Sequence, residues 1–227
     1  MTAAGAREAR LSRLTRAAAR LQLALSDHDQ QRLLDFVDLL QRWNATYNLT
    51  AVRDPDEMLP QHLFDCLAAV PALRRALPDE GGSASPQRRV LDVGSGGGLP
   101  GVVIAMLLPD AEVICVDTVG KKAAFIRQAG VELCLPNLRA EHARVESLRT
   151  EPFDLITSRA FASLADFVAW TEPLLAPDGV WVAMKGRRPD SEIEELSDGI
   201  DVFHVEPLRV PELEAERCLV WMRRRQD

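Results

Sequence analysis

Cysteine and histidine are few and scattered. Cys66, Cys115, Cys134 and Cys218 are the four cysteines of 227 residues, and none falls in C-x-x-C spacing. That argues against a disulfide framework and a zinc ribbon. Cys115 and Cys134 lie in apolar runs, so reduced core residues in a cytoplasmic protein are expected. His28, His62, His142 and His204 are equally dispersed, and no metal site is expected. No apolar run approaches the length of a membrane span, and no internal repeat is visible. The net charge of −7 argues against a general nucleic-acid coat.

What the chain does have is a glycine-rich turn. Val90 to Val93 reads as a buried strand, Gly94-Ser95-Gly96-Gly97-Gly98 as a turn, and Val102 to Leu108 as a helix opening at Pro100. Strand, glycine turn and helix together let a ligand approach bare backbone and the N–H groups of a helix start. Gly96, Gly98 and Gly101 fit the dinucleotide spacing G-x-G-x-x-G. The run Asp92-Val-Gly94-x-Gly96-x-Gly98 fits the acidic-start pattern of S-adenosylmethionine (AdoMet) methyltransferases equally well. The next strand, Glu112 to Val116, ends in Asp117, about 20 residues past the turn, where a carboxylate can accept ribose hydroxyls of either cofactor.

Elsewhere the basic residues cluster. Arg7, Arg10, Arg13, Arg16 and Arg20 recur every three or four residues and predict one face of an N-terminal helix, a local surface compatible with RNA phosphates or simply solvated. The segment also has the Arg-rich look of a transit peptide, but Leu11, Leu14, Leu21 and Leu25 interleave with the arginines and favour a folded helix. Ser26 or Asp27 caps a second helix expected to end near Trp43. Trp43-Asn44-Ala45-Thr46-Tyr47-Asn48-Leu49-Thr50 is then either a loop that stacks a base or a capping turn. Asp56 to Leu67 is helical and carries His62 and Asp65, and Gly81 to Pro86 is a linker. A helical region over 1–80 therefore precedes a nucleotide-binding domain over 87–227.

Beyond Asp117, strands alternate with helices and end in two strands near Val202–Glu206 and Cys218–Arg223. This α/β pattern predicts a mostly parallel sheet with helices on both faces. Ligands in such sheets bind outside the carboxyl ends of the strands. Gly94–Gly98, Asp117, Val145-Glu146, Ser158-Arg159 and Lys185-Gly186 then share one rim.

Taken together, Trp43-Asn44…Tyr47-Asn48-Leu49-Thr50, His62-Leu63…Asp65, Leu91 to Gly101, Gly120-Lys121-Lys122…Phe125, Arg144-Val145-Glu146, Ser158-Arg159-Ala160-Phe161 and Met184-Lys185-Gly186 closely resemble the RsmG (GidB) family. These are bacterial small-subunit ribosomal RNA guanine-N7 methyltransferases. The resemblance covers roughly Arg42 to Gly186, with departures at Gln61, Cys66 and Thr118. It implies a class I AdoMet-dependent methyltransferase fold, Rossmann-like with seven strands and a helical N-terminal extension. It also implies methylation of one guanine N7 in the decoding-region loop of 16S rRNA within the small ribosomal subunit, by a monomer.

By resemblance, Gly94, Ser95, Gly96, Gly98 and Leu99 hold AdoMet at the turn, Asp117 holds its ribose, and Val145 and Glu146 lie at the adenine. Arg159 lies near the methionine end or the target base. Guanine N7 has a free lone pair and no proton, so no general base is required. Alignment alone can supply about 7–11 kcal/mol. Arg159 and Lys185 are candidates for guanine O6 or a flanking phosphate, and Asn48, His62 and Asp65 for completing the pocket. His62 and Asp65 could instead only pair with each other. Two other readings remain: an NAD(P) oxidoreductase, and a non-catalytic ribosome-assembly factor that binds RNA.

Overall fold

The computed structural model describes residues 2–77 and 88–225. The expected linker at 81–86 lies outside the described residues. The N-terminal part is helical: α1 (Ala3–Arg20), α2 (Asp27–Tyr47), α3 (Pro55–Met58), a π-helical turn (Leu59–Phe64) and α4 (Asp65–Ala76). Then come β1 (Arg88–Val93), α5 (Gly101–Leu107), β2 (Ala111–Asp117), α6 (Gly120–Glu132), β3 (Leu138–His142) and a 3-10 turn (Val145–Ser147). The chain closes through β4 (Phe153–Arg159), α7 (Leu164–Thr171), β5 (Leu175–Lys185), α8 (Asp190–Glu194), β6 (Ile200–Leu208) and β7 (Arg217–Arg224).

Among the described residues, seven strands form one sheet in the order β3-β2-β1-β4-β5-β7-β6. The first five are parallel, and β7 runs antiparallel between β5 and β6. The chain leaves β1 toward β2 and β3, then returns to β4 on the other side of β1. That reversal opens a crevice at the carboxyl ends of the central strands.

Alternation along each strand divides the core. Val90, Val113, Cys115, Leu155 and Val182 face one layer, with α5, α6 and residues of the N-terminal helices such as Leu33, Leu40, Leu63 and Phe64. Leu91, Val93, Ile114, Val116 and Ile156 face the other, against Leu164 and Phe167 of α7. The N-terminal helices thus share the core of the sheet and bring residues 61–65 up to its rim. No helix of the described residues is long and apolar enough to cross a membrane.

Three expectations are corrected. First, α2 continues past Trp43 to Tyr47. Its start is a capping box between Ser26 and Asp29, and it stops at Asn48 in the left-handed region (φ 49°), a conformation asparagine tolerates. Buried Asn44 donates to the Val52 carbonyl at 3.0 Å and accepts from the Thr50 amide at 2.9 Å. Trp43 stacks on Tyr47 and Phe125, with centroids 5.1 and 5.6 Å away. The stretch from Trp43 to Thr50 is therefore a helix end with its pinned turn, not an open loop.

Second, part of the arginine face of α1 is turned inward, while Arg16 and Arg20 stay exposed. Arg7 pairs with Asp35 and Asp38 (2.7 and 2.6 Å), Arg10 with Asp38 (2.7 Å), and Arg13 with Asp56 and Glu212 (3.2 and 2.8 Å). These charges tie the first helix to the rest of the chain instead of presenting a phosphate-binding surface. Third, the expected single helix from Asp56 is interrupted by a widened turn at Leu59–Phe64, where Pro60 lacks an N–H donor. The helix then resumes and runs on to Ala76. Cys66, Cys115 and Cys218 are buried as expected, but Cys134 is exposed in a left-handed turn after α6.

Candidate functional site

The glycine turn owes its shape to what surrounds it. Gly94 has φ +67°, and a Cβ there would meet Phe161 Cδ2 at 2.5 Å, so glycine is required for conformation and for space alike. At the start of α5, a Cβ on Gly101 would collide with Cys115 Sγ and Asp92 Oδ2, which keeps helix and sheet in close contact. The Gly101 amide donates to Asp92 Oδ2 at 2.9 Å. Asp92 is fully buried, and its Oδ1 has no partner among the described residues. Burial pushes the Asp92 carboxyl up to about 6, against the pull of the Gly101 amide and other neighbours.

Beside this turn lies a cavity of about 470 Å³, within the range of small-molecule sites. Gly94, Asp117, Val145 and Glu146 line it, as do Phe161 and Trp170. Asp117 Oδ2 accepts from the Gly96 amide at 2.9 Å, and Oδ1 accepts from the Val119 amide at 2.8 Å. Each carboxylate oxygen keeps a further lone pair. Lys122 Nζ lies 3.8 Å from the same carboxylate. Phe161 and Trp170 meet edge to face at 5.7 Å.

Ser95, Gly96, Gly98 and Leu99 do not line the cavity. Ser95 is buried, with its hydroxyl donating to the Asp92 carbonyl at 2.8 Å. Gly96 and Gly98 shape the turn, and Leu99 belongs to the core. The expected single rim is therefore divided. Arg159 extends from the opposite side of β4, toward α4, where its Nη1 donates to Asp65 Oδ2 and to the Gln61 carbonyl, each at 3.1 Å. Arg217 Nε holds the other oxygen of Asp65 at 3.1 Å.

His62 does not pair with Asp65. Its Nε2 lies 2.7 Å from Thr50 Oγ1 and its Nδ1 3.0 Å from the Gln61 carbonyl. Burial, then the nearby Arg159, lowers its pKa to about 4, so the ring is neutral at pH 7. A carbonyl only accepts, so Nδ1 carries the proton and Nε2 accepts from the threonine hydroxyl. Lys185 is engaged by Glu192 at 2.8 and 3.0 Å and faces a separate groove with Arg187 and Arg188. Asn48 caps α2 on the exposed surface, away from the cavity lining.

Trp170 and Asp65's partner Arg217 carried no sequence signal of this kind. Trp170 lies one turn after buried Phe167, so periodicity marks it as part of an apolar helix face. Arg217 begins the seventh strand, far in sequence from the Asp65 that it holds. The strand-end rule is the cue that could have found Thr118 and Ala160, the first residues past β2 and β4.

The family described as rRNA small subunit methyltransferase G matches residues 29–220. Among similar proteins, "Ribosomal RNA small subunit methyltransferase G" of Methylibium petroleiphilum is 58% identical over 212 residues, covering 93% of each chain. The protein of the same name from Leptothrix cholodnii is 60% identical over 201 residues, 88% of this chain and 89% of that one. Among solved structures, TrmN from Thermus thermophilus aligns with a TM-score of 0.55 and 23% identity, over 70% of this chain and 48% of its own. A ribosomal protein L11 methylase from Lactobacillus delbrueckii subsp. bulgaricus aligns at 0.52 and 14% identity, over 72% of this chain and 77% of its own. Sheet order and these neighbours together identify the fold as class I methyltransferase. A nicotinamide oxidoreductase finds no support in these relatives.

Proposed function

The chain belongs to the rRNA small subunit methyltransferase G family, and from that premise we propose that it methylates N7 of one guanine in the decoding-region loop of 16S rRNA, using AdoMet. The observation that carries the reading is the pairing of a bare glycine turn with the Asp117 carboxylate in one cavity. The residues fit the cofactor. Asp117 has spare lone pairs for ribose hydroxyls, Val145 and the Phe161–Trp170 pair offer apolar surface for an adenine, and Gly94 lines the cavity beside Phe161. When bound, AdoMet supplies a methyl group activated by a positively charged sulfur.

The chain's own task is alignment. With AdoMet bound, the lone pair of guanine N7 would take the methyl carbon while the carbon–sulfur electrons leave on sulfur, so the chain would have to hold the two in line. No proton moves, so no acid–base pair has to be supplied. His62 has both ring nitrogens engaged, with the Thr50 hydroxyl and the Gln61 carbonyl. We assign Arg159, at the end of β4, to the methionine end of AdoMet or the target base. Lys185 is held by Glu192, and Asn48 caps α2 outside the cavity lining.

The substrate is the rRNA of the small ribosomal subunit, met in the cytoplasm. We take the acting species to be a monomer. Mass-spectrometric mapping of 16S rRNA from cells lacking the gene should find one decoding-region guanine unmethylated. Full methylation in those cells would reject the proposal. Calorimetric titration should find AdoMet bound and NAD not bound. A chain that binds RNA but not AdoMet would instead be an assembly factor.

A further inference from the structure

One wall of the cavity is carried by a short segment between β4 and α7. Its first residue, Ala160, lies in the left-handed region at φ 54°. A residue with a Cβ keeps that conformation only where its surroundings hold it. Phe161 follows, with its ring against Gly94. It meets Trp170 and buried Phe167 edge to face, with centroids 5.7 and 6.3 Å away. Ala160, Phe161 and Trp170 all line the cavity.

Two charged side chains from later elements hold this segment. Lys185 Nζ, at the end of β5, donates to the Ala162 carbonyl at 3.5 Å and to Glu192 Oε1 and Oε2 at 3.0 and 2.8 Å. An ammonium group has three donors, and here three acceptors face it. Glu192 Oε2, on α8, in turn accepts from the Leu164 amide at the start of α7, at 2.8 Å. The backbone is thus anchored at the residue directly after Phe161 and again where α7 begins. The side chains of the pair are only 20% and 29% exposed, so solvent and salt screen it less than an open surface pair.

We infer that Lys185 and Glu192 are positioning residues, which latch the segment after β4 and keep the Phe161 ring in place as a wall of the cofactor site. The inference rests on the AdoMet reading above. Contact residues hold a ligand well only when neighbours lock their own geometry. Without the latch, Ala160 is free to leave the left-handed region and the Phe161 ring can move off Gly94. The cavity then loses surface for the adenosyl part of the cofactor, although no group that touches the cofactor has been removed.

The test is calorimetric titration of the full chain with AdoMet and with its demethylated form, S-adenosylhomocysteine. AdoMet is a net cation at neutral pH, and the demethylated form has no net charge. By charge alone, Lys185→Met should tighten AdoMet binding and leave the demethylated form unaffected. Positioning requires that both weaken alike, by at least about fivefold, the lower end of typical coupling between sites. Lys185→Arg keeps charge and donors and should lose less. Glu192→Gln keeps an acceptor for the Leu164 amide but loosens Lys185, so it should weaken both ligands more mildly. In a Phe161→Ala background, Lys185→Met should cost nothing further, because the wall is already gone. In fluorotryptophan-labelled protein, the Trp170 fluorine resonance, assigned by its absence in Trp170→Phe, should shift in Lys185→Met while that of Trp43 stays.

Unchanged affinity for both ligands in folded Lys185→Met and Glu192→Gln would overturn the inference. So would a full further loss in the Phe161→Ala background, or a loss confined to one of the two ligands. If these signatures appear in a chain that methylates no rRNA guanine, the function proposal fails while the latch stands. If they are missing from a chain that does methylate 16S rRNA, the latch falls and the function stands.

Discussion

The Gly96 amide and the Asp117 carboxylate are 2.9 Å apart, and this one hydrogen bond joins the glycine turn after β1 to the end of β2. Asp117 also takes the Val119 amide that leads into α6. A single side chain thus organises two loops and faces the cavity.

Asp117→Ala should therefore lose on two counts. Two backbone N–H groups lose their acceptor, at a cost of about 1–3 kcal/mol each where water cannot replace it. The ribose contact is lost as well, so AdoMet affinity should fall at least about tenfold by calorimetry. Asp117→Asn keeps one acceptor oxygen and should be the milder change in thermal unfolding. Equal AdoMet affinity in folded Asp117→Ala would refute the assignment of the cavity.

Gly94→Ala adds a Cβ at φ +67° and directly against the Phe161 ring. Backbone strain in this region costs on the order of 1–2 kcal/mol, before any displacement of the ring. Phe161→Ala in the same chain should recover the steric part and leave the backbone part. Comparing melting temperatures of the two variants and their combination separates the contributions.

The pH dependence of stability contains two opposing contributions. The carboxyl of Asp92 is raised from 3.8 to about 6 by burial, so the folded chain binds more protons than the unfolded chain between those values. Stability from Asp92 is present at low pH and lost as pH rises through about 6. His62 is lowered from 6.5 to about 4, mainly by burial, so the folded chain binds fewer protons there, and stability rises with pH across that interval. The two nearly cancel between pH 4 and 6. Denaturant unfolding of Asp92→Asn should expose the rise due to His62, and His62→Gln should expose the fall due to Asp92. Identical profiles in all three proteins would exclude both groups.

The clamp on α1 predicts a separation of stability from RNA binding. Arg7→Gln with Arg10→Gln breaks three ion pairs with Asp35 and Asp38. Partly exposed pairs contribute about 0.2–1 kcal/mol each, which for a chain of this size lowers the melting temperature by a few degrees. RNA affinity should hold, because carboxylates already engage both arginines. A loss of RNA affinity would return α1 to the substrate-binding surface.

The strand–glycine–helix order and the carboxylate ending β2 were legible because both are local. Gly94 to Gly98 must turn, Val90 to Val93 must be buried, and Asp117 follows at a fixed distance. The same is true of the helix cap at Ser26 or Asp27, found at Ser26, and of the alternating α/β pattern that matches the observed sheet. The end of α2 was not legible, because Trp43 packs edge to face on Phe125 of α6 and Tyr47 packs on Trp43 in turn.

By itself the amino-acid sequence determined the layered architecture, the cofactor-type turn and the family resemblance, since each depends on neighbours within one or two elements. Tertiary structure alone decided which charges are available. It committed Arg7, Arg10 and Arg13 to carboxylates of other elements, committed Lys185 to Glu192, and placed Arg159 beside Asp65 and Arg217. The physical reason is that an arginine or lysine reads the same in sequence whether its partner is water, a carboxylate or a phosphate. Only the approach of distant segments assigns that partner.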